Sequence, residues 1–220
     1  MQLTFVIPLL LSAVNIGGII EAIGDMIDER LAGPGTKAWN NRIQRLRDAL
    51  KKFTGALVPW DAEMLHLLSL NKAQAQKAGW FGRPAGGVFT SIYHEPILAF
   101  VKERPTKAPI LLARTSDREY VFRLKGKETE IWVNLQPLGV LVNGALLAAG
   151  KGSKLIARVD NNSGVAQSIV EVGGKPAATL LHPDHADSPM PRAVTLLREL
   201  TAEEETVVLA LAVLRMRGEA

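Results

Sequence analysis

The chain has 220 residues, a formal net charge of +4 and no cysteine. This length fits one main domain with an appendage, and the apolar fraction of 47% is ample for a core. The missing thiol excludes disulfides, thiolate metal sites and cysteine nucleophiles.

The first element is an uncharged segment from Leu3 to Ile20. As a helix it would extend about 27 Å, close to the thickness of a bilayer's hydrocarbon core. We expect residues 1–22 to form a retained transmembrane anchor, with a cleaved signal peptide or a buried core helix as the alternatives. No Lys or Arg precedes the segment and several follow it. The positive-inside rule then predicts a single-pass protein of the inner (plasma) membrane, with its carboxyl-terminal domain on the cytoplasmic side.

Small and polar residues interrupt this segment at Ser12, Asn15, Gly17 and Gly18. Such residues let transmembrane helices approach closely and form hydrogen bonds with one another. We interpret these four as candidate packing residues against another integral membrane protein subunit. Tolerated polarity within a single anchor is the alternative interpretation.

Residues 23–86 are predicted to form juxtamembrane helices and a connector. From Trp39 the apolar residues recur at Ile43, Leu46, Leu50 and Phe53, which is the spacing of one helical stripe. A basic amphipathic helix with a Trp at one end suits an anionic membrane surface. A surface helix packed on the following domain is the alternative. The candidate membrane-surface residues are Trp39, Arg42, Arg45, Arg47, Lys51 and Lys52.

A short helix and a connector are expected next. Asp61 is placed to cap a helix from Ala62 to Leu70, whose leucines form an apolar face. Asn71 to Gly87 is polar and glycine-rich, so it is predicted to be an irregular connector.

Residues 87–220 are predicted to form a β-barrel domain, because from Gly87 the sequence consists of short runs with strand-like alternation. Ile131, Val133 and Leu135, for example, alternate with polar or amphipathic residues, which predicts one buried face. Asn143-Gly144 is typical of a two-residue hairpin turn. We count about eleven such runs, the number expected of a meandering barrel or a sandwich.

The last element is a helix that is apolar on every side. Thr201 and Glu204 have the spacing of a capping box, and Val207 to Leu214 contains no polar residue. A helix with no polar face must be surrounded on all sides, and this one is too short to cross a membrane. We therefore predict a central helix over residues 202–216. The fold class is α+β: an antiparallel barrel of about eleven to twelve strands around this helix, with the single amino-terminal transmembrane helix.

The hairpins from Val88 to Leu181, followed by the helix from Glu203 to Arg215, resemble the tubby-like, phospholipid-scramblase-like and LURP-one-like superfamily. The resemblance implies a barrel of about twelve strands around a central helix, often with membrane or phosphoinositide binding, and usually without an established enzyme activity. The chain departs from the scramblases, because it lacks their cysteine-rich amino end and their carboxyl-terminal membrane helix. No phosphoinositide-binding Lys/Arg pair maps onto particular residues here.

Candidate chemical sites are few. The loop His182-Pro183-Asp184-His185, with Asp187, has side chains that could bind a metal, but it has the composition of an exposed loop. Gly150 to Lys154 lacks the P-loop spacing and is better interpreted as a hairpin connection. We predict no catalytic residue, no metal ligand and no cofactor, and hence no enzyme.

Two functions follow from these predictions. The favoured one is a non-enzymatic, membrane-anchored accessory or scaffold subunit of a larger membrane protein complex, with a cytoplasmic tubby-like barrel. The alternative is a peripheral module that binds or handles anionic lipids, as the scramblase-like resemblance suggests. The expected partners are other integral membrane protein subunits and anionic lipids. Nucleic acid is not expected, because aromatic residues interleaved with basic ones are too sparse for a base-stacking surface.

Overall fold

The structure is a computed structural model that describes residues 33–79, 83–150, 152–160, 166–185, 189 and 191–216. The chain divides into two compact units, residues 1–45 and 46–220. The predicted anchor, with Ser12, Asn15, Gly17 and Gly18, lies outside the described residues. None of the helices within the described ranges has both the length and the apolar character that crossing a membrane requires.

Three α-helices and one 3-10 helix occur in the described part of the chain. They are α1 (Lys37–Thr54), α2 (Met64–Leu67), the 3-10 helix (Pro183–His185) and α3 (Ala202–Met216). In the first unit, the Thr36 hydroxyl accepts a hydrogen bond of 3.1 Å from the Trp39 amide, so Thr36 caps the start of α1. In the second unit, the α1 side chains of Leu46, Leu50 and Phe53 are buried.

Twelve antiparallel strands form one sheet among the described residues, each paired with the next in chain order. The strands are β1 (Leu68–Gln76), β2 (Ala85–Ser91), β3 (Pro96–Lys102), β4 (Ile110–Arg114), β5 (Glu119–Lys125), β6 (Glu128–Val133), β7 (Gln136–Val142), β8 (Ala145–Ala148), β9 (Leu155–Val159), β10 (Gln167–Val172), β11 (Lys175–Leu181) and β12 (Val194–Leu196).

The first strand meets the segment that leads into the last strand, so the sheet curls into a nearly closed barrel. Ser69 forms an antiparallel bridge with Arg192. On either side of this bridge, the Leu70 amide donates to the Pro191 carbonyl at 3.0 Å and the Ala193 amide donates to the Leu68 carbonyl at 2.8 Å. This twelve-stranded antiparallel barrel is compatible with the tubby-like barrel fold that the sequence pattern resembles.

The structure differs from the sequence prediction just before the barrel. The expected helix from Ala62 to Leu70 is only the single turn α2, and the expected connector from Asn71 contains most of strand β1. The run from Asn71 to Gln76 has no large apolar residue, only Ala73 and Ala75, and its side chains are half-buried or exposed on both faces. Pairing with β2 therefore defines this strand, and hydrophobic patterning does not.

The barrel interior is filled by α3. All ten residues from Val207 to Met216 are buried, and all of them except Arg215 share one apolar core with residues of the surrounding strands. At its start, Thr201 and Glu204 form the predicted capping box, with the Thr201 amide donating to the Glu204 carboxylate at 3.0 Å and the Glu204 amide donating to the Thr201 hydroxyl at 3.3 Å. The predicted hydrophobic carboxyl-terminal helix is thus confirmed.

Candidate functional site

A groove of about 340 Å³ opens in the second unit, where the β4–β5 and β6–β7 turns lie beside α1. We call it the Arg114 groove. Its lining residues are Arg47, Arg114, Asp117, Arg118, Glu119, Asn134 and Leu135. Three guanidinium groups and two carboxylates therefore meet at one surface with a single leucine.

The β4–β5 turn is held rigid by the buried Thr115. The Thr115 hydroxyl donates to the Asp117 carboxylate at 2.7 Å and accepts from the Arg118 amide at 3.1 Å. The Thr115 amide donates to the Arg118 carbonyl at 3.0 Å. These bonds close the turn and fix the points at which Asp117 and Arg118 enter the groove.

The β6–β7 turn is fastened to the start of β5. The Asn134 side-chain oxygen accepts from the Glu119 amide at 2.8 Å, and the Asn134 amide donates to the Glu119 carbonyl at 2.8 Å. The neighbouring Leu135 therefore has a fixed position relative to Glu119. Its side chain is 65% exposed, so the turn presents an apolar group to solvent.

One wall of the groove is an ion pair between α1 and β5. The Arg47 guanidinium donates to both oxygens of Glu119, with distances of 2.6 to 3.1 Å. The hydrogen bond to Glu119 raises the pKa of Arg47 above its ordinary value. Such a bidentate pair is among the stronger side-chain contacts, so these two charges largely neutralise each other.

A second ion-pair network connects the groove to the central helix. Arg118 donates to the Glu205 carboxylate at 2.9 Å and to the Thr206 hydroxyl at 3.2 Å, both in the first turns of α3. Glu205 also accepts a 2.6 Å hydrogen bond from the indole nitrogen of Trp60. Burial raises the pKa of the neighbouring Tyr120 to about 12.

Arg114 differs from the other two guanidinium groups. It is exposed, and no hydrogen bond or ion pair joins its side chain to another residue in the described ranges. Its backbone partner across the sheet is Glu119, whose carboxylate is already bound by Arg47. The guanidinium donors of Arg114 are therefore accessible to a ligand.

The groove presents charged hydrogen-bonding groups to solvent. The groove's cations are guanidiniums, which keep their protons at physiological pH. A planar guanidinium with free donors binds carboxylates or phosphates, often through two hydrogen bonds. An exposed aliphatic group beside it adds an apolar contact for the same ligand.

The structure places the six predicted membrane-surface residues in different environments. Trp39 is buried, with 7% of its surface exposed. Arg42 and Arg47 are half-buried, whereas Arg45, Lys51 and Lys52 are exposed. Lys51 pairs with Asp48 at 2.7 Å, and Lys52 donates to the Gln76 side chain. Only Arg47 lines the groove.

The other lining residues are not among the residues that the sequence pattern singles out, and the predicted environment of Leu135 is wrong. The apolar alternation of β6 predicts an inward-facing Leu135, but the strand ends at Val133 and Leu135 lies in the turn. The available signal was Asn134, because asparagine at the end of an alternating run often marks a two-residue hairpin turn.

The structure is a helix-filled antiparallel barrel with a charged groove on its outside. Comparison with protein-family models, with curated proteins and with solved structures found no match for this chain.

Proposed function

We propose that the protein is a non-enzymatic accessory or scaffold subunit of a larger membrane protein assembly, anchored by residues 1–22 with its barrel on the cytoplasmic side. The observation that carries this proposal is the packing of the barrel interior. Ten consecutive residues of α3 fill the barrel interior, so a partner would have to bind to the outer surface. We also propose membership of the tubby-like superfamily, on the basis of twelve antiparallel strands around one helix.

A solid barrel with a rigid surface groove suits a scaffold. Its turns are fixed by hydrogen bonds, and its central helix is tied to the groove through Arg118 and Glu205. A surface of this kind loses little conformational entropy when a partner binds. The proposed partners are other integral membrane protein subunits.

Affinity purification of the full-length protein from its native membranes, in a mild detergent and followed by mass spectrometry, tests this proposal. We expect a defined set of membrane subunits at constant stoichiometry over repeated purifications. Recovery of the protein alone, under conditions that preserve other membrane complexes, would contradict it.

A second candidate function is binding to anionic lipid surfaces, favoured by the exposed cations Arg45, Lys51 and Lys52 of α1. The full-length protein would then bind vesicles of phosphatidylserine and phosphatidylcholine more strongly than neutral vesicles, and less so at high salt. The variant Lys51→Gln/Lys52→Gln should weaken this binding. Lys154→Gln/Lys175→Gln is the matched control, because it removes the same charge from exposed positions on the barrel. Equal binding by both variants would exclude α1 as the lipid contact.

A further inference from the structure

We propose that the Arg114 groove is the docking site for a partner subunit, and that it binds a protein segment carrying a carboxylate beside an apolar side chain. The inference rests on the proposed function, since it names the surface through which the assembly would hold the barrel. Two independent features carry it: the conformation of Leu135 and the exposed guanidinium of Arg114, which has no hydrogen bond or ion pair to another described residue.

Three hairpins of the barrel share one turn geometry, and this allows Leu135 to be compared with its counterparts. In each hairpin, two turn residues with positive φ separate the last paired residue of one strand from the first paired residue of the next. The φ angles are 48° and 68° at Asn134-Leu135, 49° and 78° at Asn143-Gly144, and 59° and 78° at Gly173-Gly174. The second position is glycine in two of these turns and leucine in the third.

A leucine at this position is unfavourable for folding. Positive φ brings Cβ close to the neighbouring carbonyl oxygen; glycine avoids this strain and asparagine tolerates it, but leucine does neither. Burial does not compensate here, because the Leu135 side chain is 65% exposed. A strained residue that gains nothing from the fold points to a role in binding. A partner that covers Leu135 would supply the missing apolar contact.

The charges beside Leu135 define the chemistry of that partner. Arg47 is matched by Glu119, and Arg118 is matched by Glu205 and Asp117. Arg114 remains as an exposed guanidinium at the end of β4. A ligand that satisfies both groups presents a carboxylate to Arg114 and an apolar side chain to Leu135.

The same groove fits a protein segment better than an anionic membrane. The Asp117 side chain is 45% exposed beside Arg118. A membrane surface of uniform negative charge would place its headgroups against this carboxylate. A protein segment can instead direct its carboxylate to Arg114 and a hydrogen-bond donor to Asp117.

Two variants of the full-length protein test the docking site. Leu135→Gly recreates the Asn-Gly turn found at residues 143–144, so its melting temperature should equal or exceed that of the wild type. Arg114→Gln removes the free charge at an exposed position. Each should lower recovery of the assembly from native membranes by about tenfold or more at matched bait levels. The controls are Ile169→Thr and Arg104→Gln, which alter an exposed apolar residue and an exposed cation outside the groove.

Photo-crosslinking identifies the occupant. A benzoylphenylalanine placed at position 135 should yield an adduct with one assembly subunit, mapped by mass spectrometry to a segment with Asp or Glu close to an apolar side chain. Adding Arg114→Gln should reduce this adduct about tenfold. The same probe at position 169 is the background control. A lipid adduct, or a signal no greater than at position 169, would overturn the inference.

The outcomes separate the two proposals. If the wild type recovers the assembly and both groove variants recover it equally well, the docking site is wrong and the scaffold function stands. If the wild type recovers no assembly, the scaffold function fails and the docking site fails with it.

Discussion

The Arg47 guanidinium binds the Glu119 carboxylate through three hydrogen bonds of 2.6 to 3.1 Å, although the two residues are 72 positions apart in the sequence. The pair ties α1 to the first residue of β5. Arg47 was predicted to contact the membrane surface. In the structure its charge is matched within the protein, so a lipid headgroup would have to compete with Glu119.

A double-mutant cycle with Arg47→Gln and Glu119→Gln measures this pair. We expect a coupling energy of about 1 kcal/mol, at the upper end for partly exposed pairs because the contact is bidentate. The measurement is the free energy of unfolding by urea for the wild type, both single variants and the double variant. The coupling should fall as salt increases. If the effects of the two single variants on the free energy of unfolding simply add at low salt, the ion pair contributes nothing to stability.

Burial of α3 on every side predicts that a charge cannot replace its central leucine. Leu211 is 2% exposed, so Leu211→Asp would bury an unpaired carboxylate at a cost of several kcal/mol. We expect loss of the cooperative thermal transition, measured by circular dichroism, and rapid cleavage by protease. Leu197→Asp is the control, because Leu197 is 50% exposed and lies on the barrel surface. A folded Leu211→Asp variant would show that α3 is not enclosed.

The capping box predicts a defined loss of stability in acid. Hydrogen bonding from Arg198, followed by the Thr201 amide, lowers the pKa of Glu204 from 4.5 to about 2. A carboxylate with a lowered pKa stabilises the fold fully above its unfolded value, and this stabilisation is lost as the pH falls from about 4.5 toward about 2. Glu204→Gln should remove this part of the pH dependence, measured by urea unfolding at several pH values. If the free energies of unfolding of the variant and the wild type differ by the same amount at every pH in that range, Glu204 does not have the lowered pKa.

Close packing of β7 against β8 predicts that Gly139 cannot carry a side chain. A Cβ atom at Gly139 would lie 2.1 Å from the Leu147 carbonyl oxygen, so the backbone would have to shift. We expect Gly139→Ala to lower the free energy of unfolding by at least about 2 kcal/mol. Gly55→Ala should be nearly neutral, because nothing lies within 4 Å of its Cβ position. If the two variants are equally stable, the β7–β8 register in solution differs from that in the structure.

Much of the fold could be predicted from sequence because its elements carry local signals. The central helix was predictable from the Thr201–Glu204 cap and the apolar run that follows it. Most strands were predictable from alternation. β1 was missed because its second half, Asn71 to Gln76, buries neither face completely and so lacks that pattern.

The groove could not be predicted from sequence, because strand register creates it. Arg47, Arg114 and Asn134 belong to three separate parts of the chain. The Arg47–Glu119 ion pair, the pairing of β4 with β5 and the Asn134–Glu119 hydrogen bonds bring them together. Leu135 illustrates the same limit. The apolar alternation of β6 continues from Val133 to Leu135, past the end of the strand. The pattern therefore predicts a buried Leu135, whereas Leu135 is exposed in the turn.

The central claim is that this barrel is a fixed subunit of a membrane assembly. Sedimentation velocity of the protein solubilised from native membranes in a mild detergent tests it most directly. We expect nearly all of the wild-type protein to sediment as one particle much larger than its own 23.8 kDa plus bound detergent, and Arg114→Gln to release it to the small form. Wild-type protein that sediments entirely as the small form would exclude a stable membrane assembly.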